Sequence, residues 1–188
     1  LSALLWMTGA IVSFTSMAIA GREVSLDLDT FEIMLYRSLI GIGIVVSVAR
    51  ATGTLRQVRV AKMGWHTARN ICHFTGQNLW FYAITVIPLA QVFALEFTMP
   101  IWAMFLSILV LGERLTANRV GTAFAGFLGI LIVTRPGAQT LDIGTLAAAL
   151  AAIGFAGTAV CTRRLTRTES TASILFWLTV MQAVFGLI

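Results

Sequence analysis

Residues 88–111 read PLAQVFALEFTMPIWAMFLSILVL, an apolar stretch that contains one charged side chain, Glu96. About 20 apolar residues in an α-helix cross the hydrocarbon core of a bilayer, so this stretch predicts a transmembrane helix. Similar stretches recur along the chain and predict spans over 3–20, 31–49, 65–86, 88–111, 117–134, 143–161 and 172–188. The sequence therefore predicts an all-α, multi-pass helical membrane protein.

The composition agrees with a membrane location. Of 188 residues, 58% are hydrophobic and 11% are charged, whereas soluble domains carry about 25% charged residues. A soluble domain this apolar would expose large hydrophobic patches to water. We therefore expect the lipid bilayer to surround the protein.

The net charge of +5 comes mostly from basic residues in short loops, so it is interpreted as a topology signal and not as a nucleic-acid surface. Cys72 and Cys161 lie far apart within apolar segments and are expected to be small buried side chains. The sequence contains no nucleotide-binding or paired-histidine metal motif, and we expect neither a cofactor nor an enzyme activity.

Basic residues alternate between the two sides of the predicted membrane. Loops on one side carry Arg50, Arg56, Arg59, Lys62, Arg114, Arg119, Arg163, Arg164 and Arg167, and loops on the other side carry Arg22 and Arg135. Because cytoplasmic loops are enriched in Lys and Arg, the first side is predicted to be cytoplasmic. The N-terminus is then cytoplasmic as well.

A weak internal repeat relates the first two predicted spans to the last two. A shift of 141 residues aligns Ala10 with Ala151, Phe14 with Phe155, Arg22 with Arg163, and Thr30 with Thr171. The loop after the first span is acidic and its counterpart is basic, so the second copy is predicted to be inverted, as in many secondary transporters. Residues 1–137 then form one five-helix unit and residues 138–188 begin a second. About seven of ten helices would be present, with three more expected beyond Ile188.

Two short segments resemble a known family. Residues 100–116 read PIWAMFLSILVLGERLT, and residues 132–137 read IVTRPG. They are similar to the end of an EamA-type repeat of the drug/metabolite transporter superfamily, and Arg37 after Tyr36 also fits that pattern. The resemblance implies ten helices in two inverted five-helix units around a central transport cavity, in the bacterial inner membrane.

Polar groups at membrane depth are costly, so they are the candidates for a functional site. Glu96 lies about 12 Å along its predicted helix, and Pro100 removes the hydrogen bond that the Glu96 carbonyl would otherwise accept. We expect a kink there, with Pro100 as a hinge. Glu96 either binds a cation or amine, or pairs with a neighbouring helix through a residue such as Arg37.

The third predicted span carries a polar stripe at helical spacing, formed by Asn70, His73, Gln77 and Trp80, with Asn78 and Tyr82 on a second strip. Polar faces in lipid point toward protein or a water-filled cavity, so this helix is expected to be central. Its side chains either contact substrate or join helices, and His73 is either a proton carrier or a hydrogen-bonded core residue. The predicted substrate-binding residues are Glu96, Trp102, Gln77, Asn78, His73, Trp80, Tyr82 and Arg37.

Two further expectations concern packing. Small residues recur at four-residue steps in two spans and are expected to bring helices close together, namely Gly121, Ala125 and Gly129, and Gly144, Ala148, Ala152 and Ala156. A homodimer through such a face is an alternative use of it. Arg69 is expected to extend to the cytoplasmic membrane surface.

The function predicted from these features is secondary transport of small metabolites such as amino acids, amines or drugs, by alternating access around a central cavity. Export is the favoured direction, and the coupling ion is left open. Glu96 and nearby aromatic residues favour a cationic small-molecule substrate. The alternatives are a membrane enzyme and a non-transporting membrane scaffold or sensor.

Overall fold

The computed structural model describes residues 2–114, 116–134 and 142–187. These parts contain eight α-helices and no strand: α1 Ser2–Val24, α2 Thr30–Ala51, α3 Met63–Val86, α4 Leu89–Glu96, α5 Met99–Leu111, α6 Ala117–Thr134, α7 Ile143–Leu165 and α8 Thr171–Phe185. A short 3₁₀ turn, Thr54–Gln57, follows α2. The all-helical class predicted from the sequence is confirmed.

Each predicted span corresponds to a helix, although their apolar lengths differ. Four segments are long and apolar enough to cross a bilayer: Leu4–Val24, Thr30–Ala51, Leu89–Leu111 and Ile143–Leu165. α3 has 24 residues but carries the polar stripe, and the apolar parts of α6 and α8 are shorter. A polar helix is tolerated in lipid when its neighbours cover it, and α3 is covered in this way.

The span predicted over 88–111 is interrupted in its middle. α4 ends at Glu96 and α5 begins at Met99, with Phe97 and Thr98 forming the turn between them. Pro100 has no N–H to donate to the Glu96 carbonyl, and the Thr98 N–H donates instead to the carbonyl of Leu95 at 3.0 Å. The interruption therefore lies where the proline predicted a kink.

Local sequence signals set two other helix ends. α2 begins in a capping box, where the Asp29 side chain accepts from the backbone N–H of Glu32 and the Glu32 side chain accepts from that of Asp29. α5 ends at Gly112, which has a φ of 65°. Only glycine adopts this conformation at little cost, so Gly112 ends α5 as predicted.

α3 and α7 form the closest helix pair of the core. A Cβ placed on Gly154 would lie 2.9 Å from the Cα of Gly76 and 2.9 Å from the carbonyl oxygen of Cys72. The small residues Gly144, Ala148, Ala152 and Ala156 are all buried along α7. The predicted close packing of this helix is therefore confirmed.

The corresponding prediction for α6 is wrong within the described chain. Gly121, Ala125 and Gly129 are exposed, and no atom lies within 4 Å of a Cβ built on Gly121 or Gly129. The four-residue spacing marks a face that can be approached closely, but it does not identify the helix that approaches it. A homodimer through this face stays a prediction.

Arg69 also differs from its prediction. Its residue is 7% exposed, and its Nε donates to Thr162 Oγ1 on α7 at 2.6 Å. A guanidinium that finds hydrogen-bond acceptors between helices has no need to reach the membrane surface. Arg69 thus joins α3 to α7.

Three basic segments lie together at one end of the bundle. The indole Nε1 of Trp177 in α8 donates to the carbonyl of Arg59 at 2.9 Å, which attaches the loop after α2. Glu113, after α5, pairs with Arg163 at 3.0 Å and with Arg167 at 3.3 Å. These loops are the ones that the charge pattern assigned to one side.

The opposite end is held by Arg22 at the end of α1. Its Nε and Nη2 donate to the carbonyls of Ile84 and Ile87, each at 2.7 Å. The start of α7 lies beside this end of α3, because a Cβ on Gly144 would lie 2.7 Å from Cγ2 of Ile87. The grouping of these loops into two ends thus agrees with the sequence, while the cytoplasmic assignment stays a prediction.

Candidate functional site

A cavity of about 530 Å³ lies between α2, α3 and α8. Polar side chains from all three helices line it: Arg37, Ser38, His73, Gln77, Thr179 and Gln182. Apolar side chains of α2 and α8 complete the wall. Its volume is in the range of small-molecule sites, which is about 300–1,000 Å³.

The helix bounds repeat the spacing found in the sequence. α1 and α7 each have 23 residues, and their first residues, Ser2 and Ile143, are 141 positions apart. α2 and α8 begin at Thr30 and Thr171, again 141 positions apart. The same separation therefore relates two consecutive helices.

The cavity is built from residues related by this separation. Three pairs at a spacing of 141 residues line it: Arg37 with Leu178, Ser38 with Thr179, and Gly41 with Gln182. The two helices touch here, because a Cβ on Gly41 would lie 3.0 Å from Cγ2 of Thr179. Corresponding positions of two related helices thus face one another across a single cavity.

The cavity lies near the middle of these helices. Gly41 is 11 residues after the start of α2, which places it about 16 Å along a helix of about 33 Å. Gln182 lies at the same distance from the start of α8. Polar side chains at this depth are costly in a bilayer, so they are expected to serve a function or to join helices.

Two polar atoms near the cavity lack a hydrogen-bond partner in the described parts of the chain. Gln182 is 3% exposed, and its Nε2 donates to the carbonyl of Asn70 at 3.1 Å. Its Oε1 and the Nδ1 of His73 are buried without a partner. Buried polar atoms are nearly always hydrogen-bonded, so these two are available to a bound molecule.

Glu96 takes part in a different contact. The indole Nε1 of Trp80 donates to Glu96 Oε2 at 3.0 Å, and the Trp80 ring lies edge-on to Phe81. Glu96 does not line the cavity between α2, α3 and α8. Both residues are described, and no ion pair joins Glu96 to Arg37. The hydrogen-bond partner of the carboxylate is thus an indole of α3.

The remaining predicted residues are distributed over other surfaces. The Nδ2 of Asn78 donates to a carbonyl of its own helix, while Tyr82 is 40% and Trp102 is 39% exposed. Pro100 lines a second cavity of about 650 Å³ beside α5 and α6. Of the predicted substrate-binding residues, Arg37, His73 and Gln77 are the ones that line the α2–α3–α8 cavity.

The sequence reasoning missed the cavity residues of α8. Thr179 and Gln182 were not selected, and neither were their counterparts Ser38 and Gly41. The 141-residue shift could have identified them, because continuing it past Thr171 pairs two hydroxyl residues and places a glutamine opposite a glycine. A glutamine in an apolar helix is also a signal by itself.

The chain is similar to several known proteins. Residues 1–135 match the model of the EamA-like transporter family. A riboflavin transporter of Brucella anthropi is 36% identical over 126 residues, which is 67% of this chain and 44% of that protein. An S-adenosylmethionine uptake transporter of Rickettsia conorii is 24% identical over 97% of this chain and 62% of its own length.

A solved crystal structure of a protein shares the fold. It is 23% identical and superimposes with a TM-score of 0.70, covering 99% of this chain and 66% of that one. The chain thus spans less than two thirds of the length of each of these curated relatives. The family match, the apolar helices and the shared fold make this an integral membrane protein that belongs to the EamA-like transporter family.

Proposed function

We propose that this chain is part of a secondary transporter that moves small metabolites across the bacterial inner membrane by alternating access. The cavity between α2, α3 and α8 is the proposed substrate site. The observation that carries the proposal is the lining of this cavity by three residue pairs 141 positions apart. Transporters with internal repeats bind their substrates near the membrane midplane, at the interface between the repeats.

The proposal includes the organisation predicted from the sequence. Residues 1–137 form one five-helix unit, residues 138–188 begin an inverted second unit, and the basic end of the bundle faces the cytoplasm. The equal lengths of α1 and α7 support the repeat, and the grouping of basic loops supports the orientation. Export stays the favoured direction.

Two relatives suggest which solutes to measure first. They are named as transporters of riboflavin and of S-adenosylmethionine. We would reconstitute the full-length protein in lipid vesicles and measure counterflow of radiolabelled riboflavin, S-adenosylmethionine, an amino acid and a polyamine. No exchange of any tracer would reject the transport proposal.

A matched pair of variants tests the site. Gly41→Leu directs a side chain toward Thr179, 3.0 Å from the position of its Cβ, whereas no atom lies within 4 Å of a Cβ on Gly43. Overpacking a close contact costs about 1–3 kcal/mol, so Gly41→Leu should lower exchange at least about fivefold. Gly43→Leu should retain it. Equal exchange by the two variants would place the substrate elsewhere.

A further inference from the structure

The cavity between α2, α3 and α8 contains one positive charge that no carboxylate of the described chain neutralises. Arg37 lines it, and its lining contains no Asp or Glu. In the described ranges, the recorded ion pairs are those of Glu113 with Arg163 and Arg167, at the basic end of the bundle. An arginine keeps its charge in proteins, and a charge at membrane depth is costly unless it is paired.

A neutral acceptor lies in the same cavity. The Nε2 of Gln182 donates to the carbonyl of Asn70 at 3.1 Å. A carbonyl only accepts hydrogen bonds, so this contact fixes which end of the amide is the N–H₂ group. The Oε1 of Gln182 is therefore an acceptor, and it has no partner in the described chain.

On the basis of the proposed transport function, we propose that this cavity selects organic anions. The acidic group of the substrate binds the guanidinium of Arg37, whose planar donors suit a carboxylate or a phosphate. An N–H or O–H group of the substrate donates to Gln182 Oε1. The cavity then satisfies the charge of the protein and the charge of the substrate together.

This assignment corrects the cationic substrate that the sequence favoured. That expectation placed the Glu96 carboxylate against the substrate, but Glu96 accepts from Trp80 and does not line this cavity. A cation entering it would meet Arg37 without a compensating carboxylate. Like charges brought together are unfavourable, so the cavity discriminates against cations.

Two pairs of probes differ by one acidic group and otherwise share their structure. Riboflavin 5′-phosphate is compared with riboflavin, and S-adenosylmethionine with its decarboxylated analogue. Dissociation constants are measured by thermal shift and by equilibrium dialysis of the full-length protein in detergent. A hydrogen bond to a charged group favours the anionic member by roughly 10- to 100-fold in at least one pair.

Variants assign this preference to Arg37. Arg37→Gln should reduce the ratio of the two constants to about one, and Arg37→Lys should retain part of it. In the Arg37→Gln background, Leu178→Arg places a guanidinium at the position 141 residues away in the same cavity, and it should restore the preference. Leu178→Gln in that background is the matched control and should not restore it. A purely structural role of Arg37 would not produce this rescue.

The outcomes separate this assignment from the transport proposal. Equal binding of the two members of both pairs, or binding of no anionic probe, overturns the assignment, whatever the flux measurements show. A preference that survives in Arg37→Gln overturns it as well. The transport proposal fails separately, if Gly41→Leu and Gly43→Leu exchange tracers equally.

Discussion

Trp80 and Glu96 are joined by a hydrogen bond between α3 and α4, with 3.0 Å between the indole Nε1 and the carboxylate Oε2. Trp80 is 2% exposed, so its N–H has no access to water. The bond satisfies a buried donor and, at the same time, attaches a charged group to the central helix. It lies directly before the interruption between α4 and α5.

Removal of the donor should destabilise the protein. Trp80→Phe keeps most of the ring but leaves the Glu96 carboxylate without this partner, which costs about 1–3 kcal/mol. We expect a lower melting temperature in detergent. Trp102→Phe is the control, because Trp102 is 39% exposed, and its melting temperature should change little. Equal melting temperatures for the two variants would contradict a stabilising role of the bond.

Neutralising the carboxylate tests a different property. In Glu96→Gln the amide oxygen can still accept from Trp80, so we expect the melting temperature of the wild type. Because Glu96 does not line the α2–α3–α8 cavity, tracer exchange should stay within about twofold of the wild type. A loss of exchange in a stably folded Glu96→Gln protein would return this carboxylate to the transport cycle.

The contact between α3 and α7 should not tolerate a methyl group. The added Cβ of Gly154→Ala would lie 2.9 Å from the Cα of Gly76 and from the Cys72 carbonyl oxygen. Both are backbone atoms, so the helices must separate, at a cost of about 1–3 kcal/mol. Thermal unfolding in detergent measures this loss.

Gly43→Ala is the control for this substitution. No atom lies within 4 Å of a Cβ on Gly43, and alanine is favoured over glycine in a helix by about 1 kcal/mol. Its stability should therefore equal or exceed that of the wild type. A melting temperature of Gly154→Ala at or above that of Gly43→Ala would show that the interface adapts.

Arg22 should stabilise the end of α3. Its two nitrogens each donate at 2.7 Å to a carbonyl of the last helical turn or of the residue after it, Ile84 and Ile87. We expect Arg22→Met to lose about 1–3 kcal/mol and Arg22→Lys to recover only part, because an ammonium group lacks the planar fork. Arg50→Lys at an exposed position is the control. Full recovery by lysine would show that charge alone matters there.

The orientation can be tested by cysteine labelling of the full-length protein. In a background of Cys72→Ala and Cys161→Ala, we expect a membrane-impermeant maleimide to label Arg56→Cys and Arg164→Cys in inside-out vesicles but not in intact cells. Asp27→Cys, after α1, should show the reverse. Labelling of Arg56→Cys and Arg164→Cys from opposite faces would contradict the proposed topology.

Much of the fold could be predicted because apolar length and loop charge are local properties of the sequence. Gly112 and Pro100 also act locally, since each restricts its own backbone or removes its own donor. The polar stripe of α3 predicted a central helix, and Asn70, Gln77 and Trp80 are indeed nearly fully buried.

The site was only partly predictable, because its geometry depends on which helices meet. Glu96 had two plausible partners by residue type, and only the packing of α4 against α3 selects Trp80. Arg69 was expected at the membrane surface, but Thr162 is 93 residues away in the sequence and offers a closer acceptor. The glycines of α6 have the same spacing as those that pack on α7, yet they are exposed.

The contact of Gly76 with Gly154 also constrains how such a protein can move. Gly76 belongs to the first proposed unit and Gly154 to the second, and their backbones touch without intervening side chains. Neither helix can tilt toward the other, and separating them would open a void in the core. α3 and α7 therefore travel as one body, and the mechanical halves of the transporter are not the halves created by duplication.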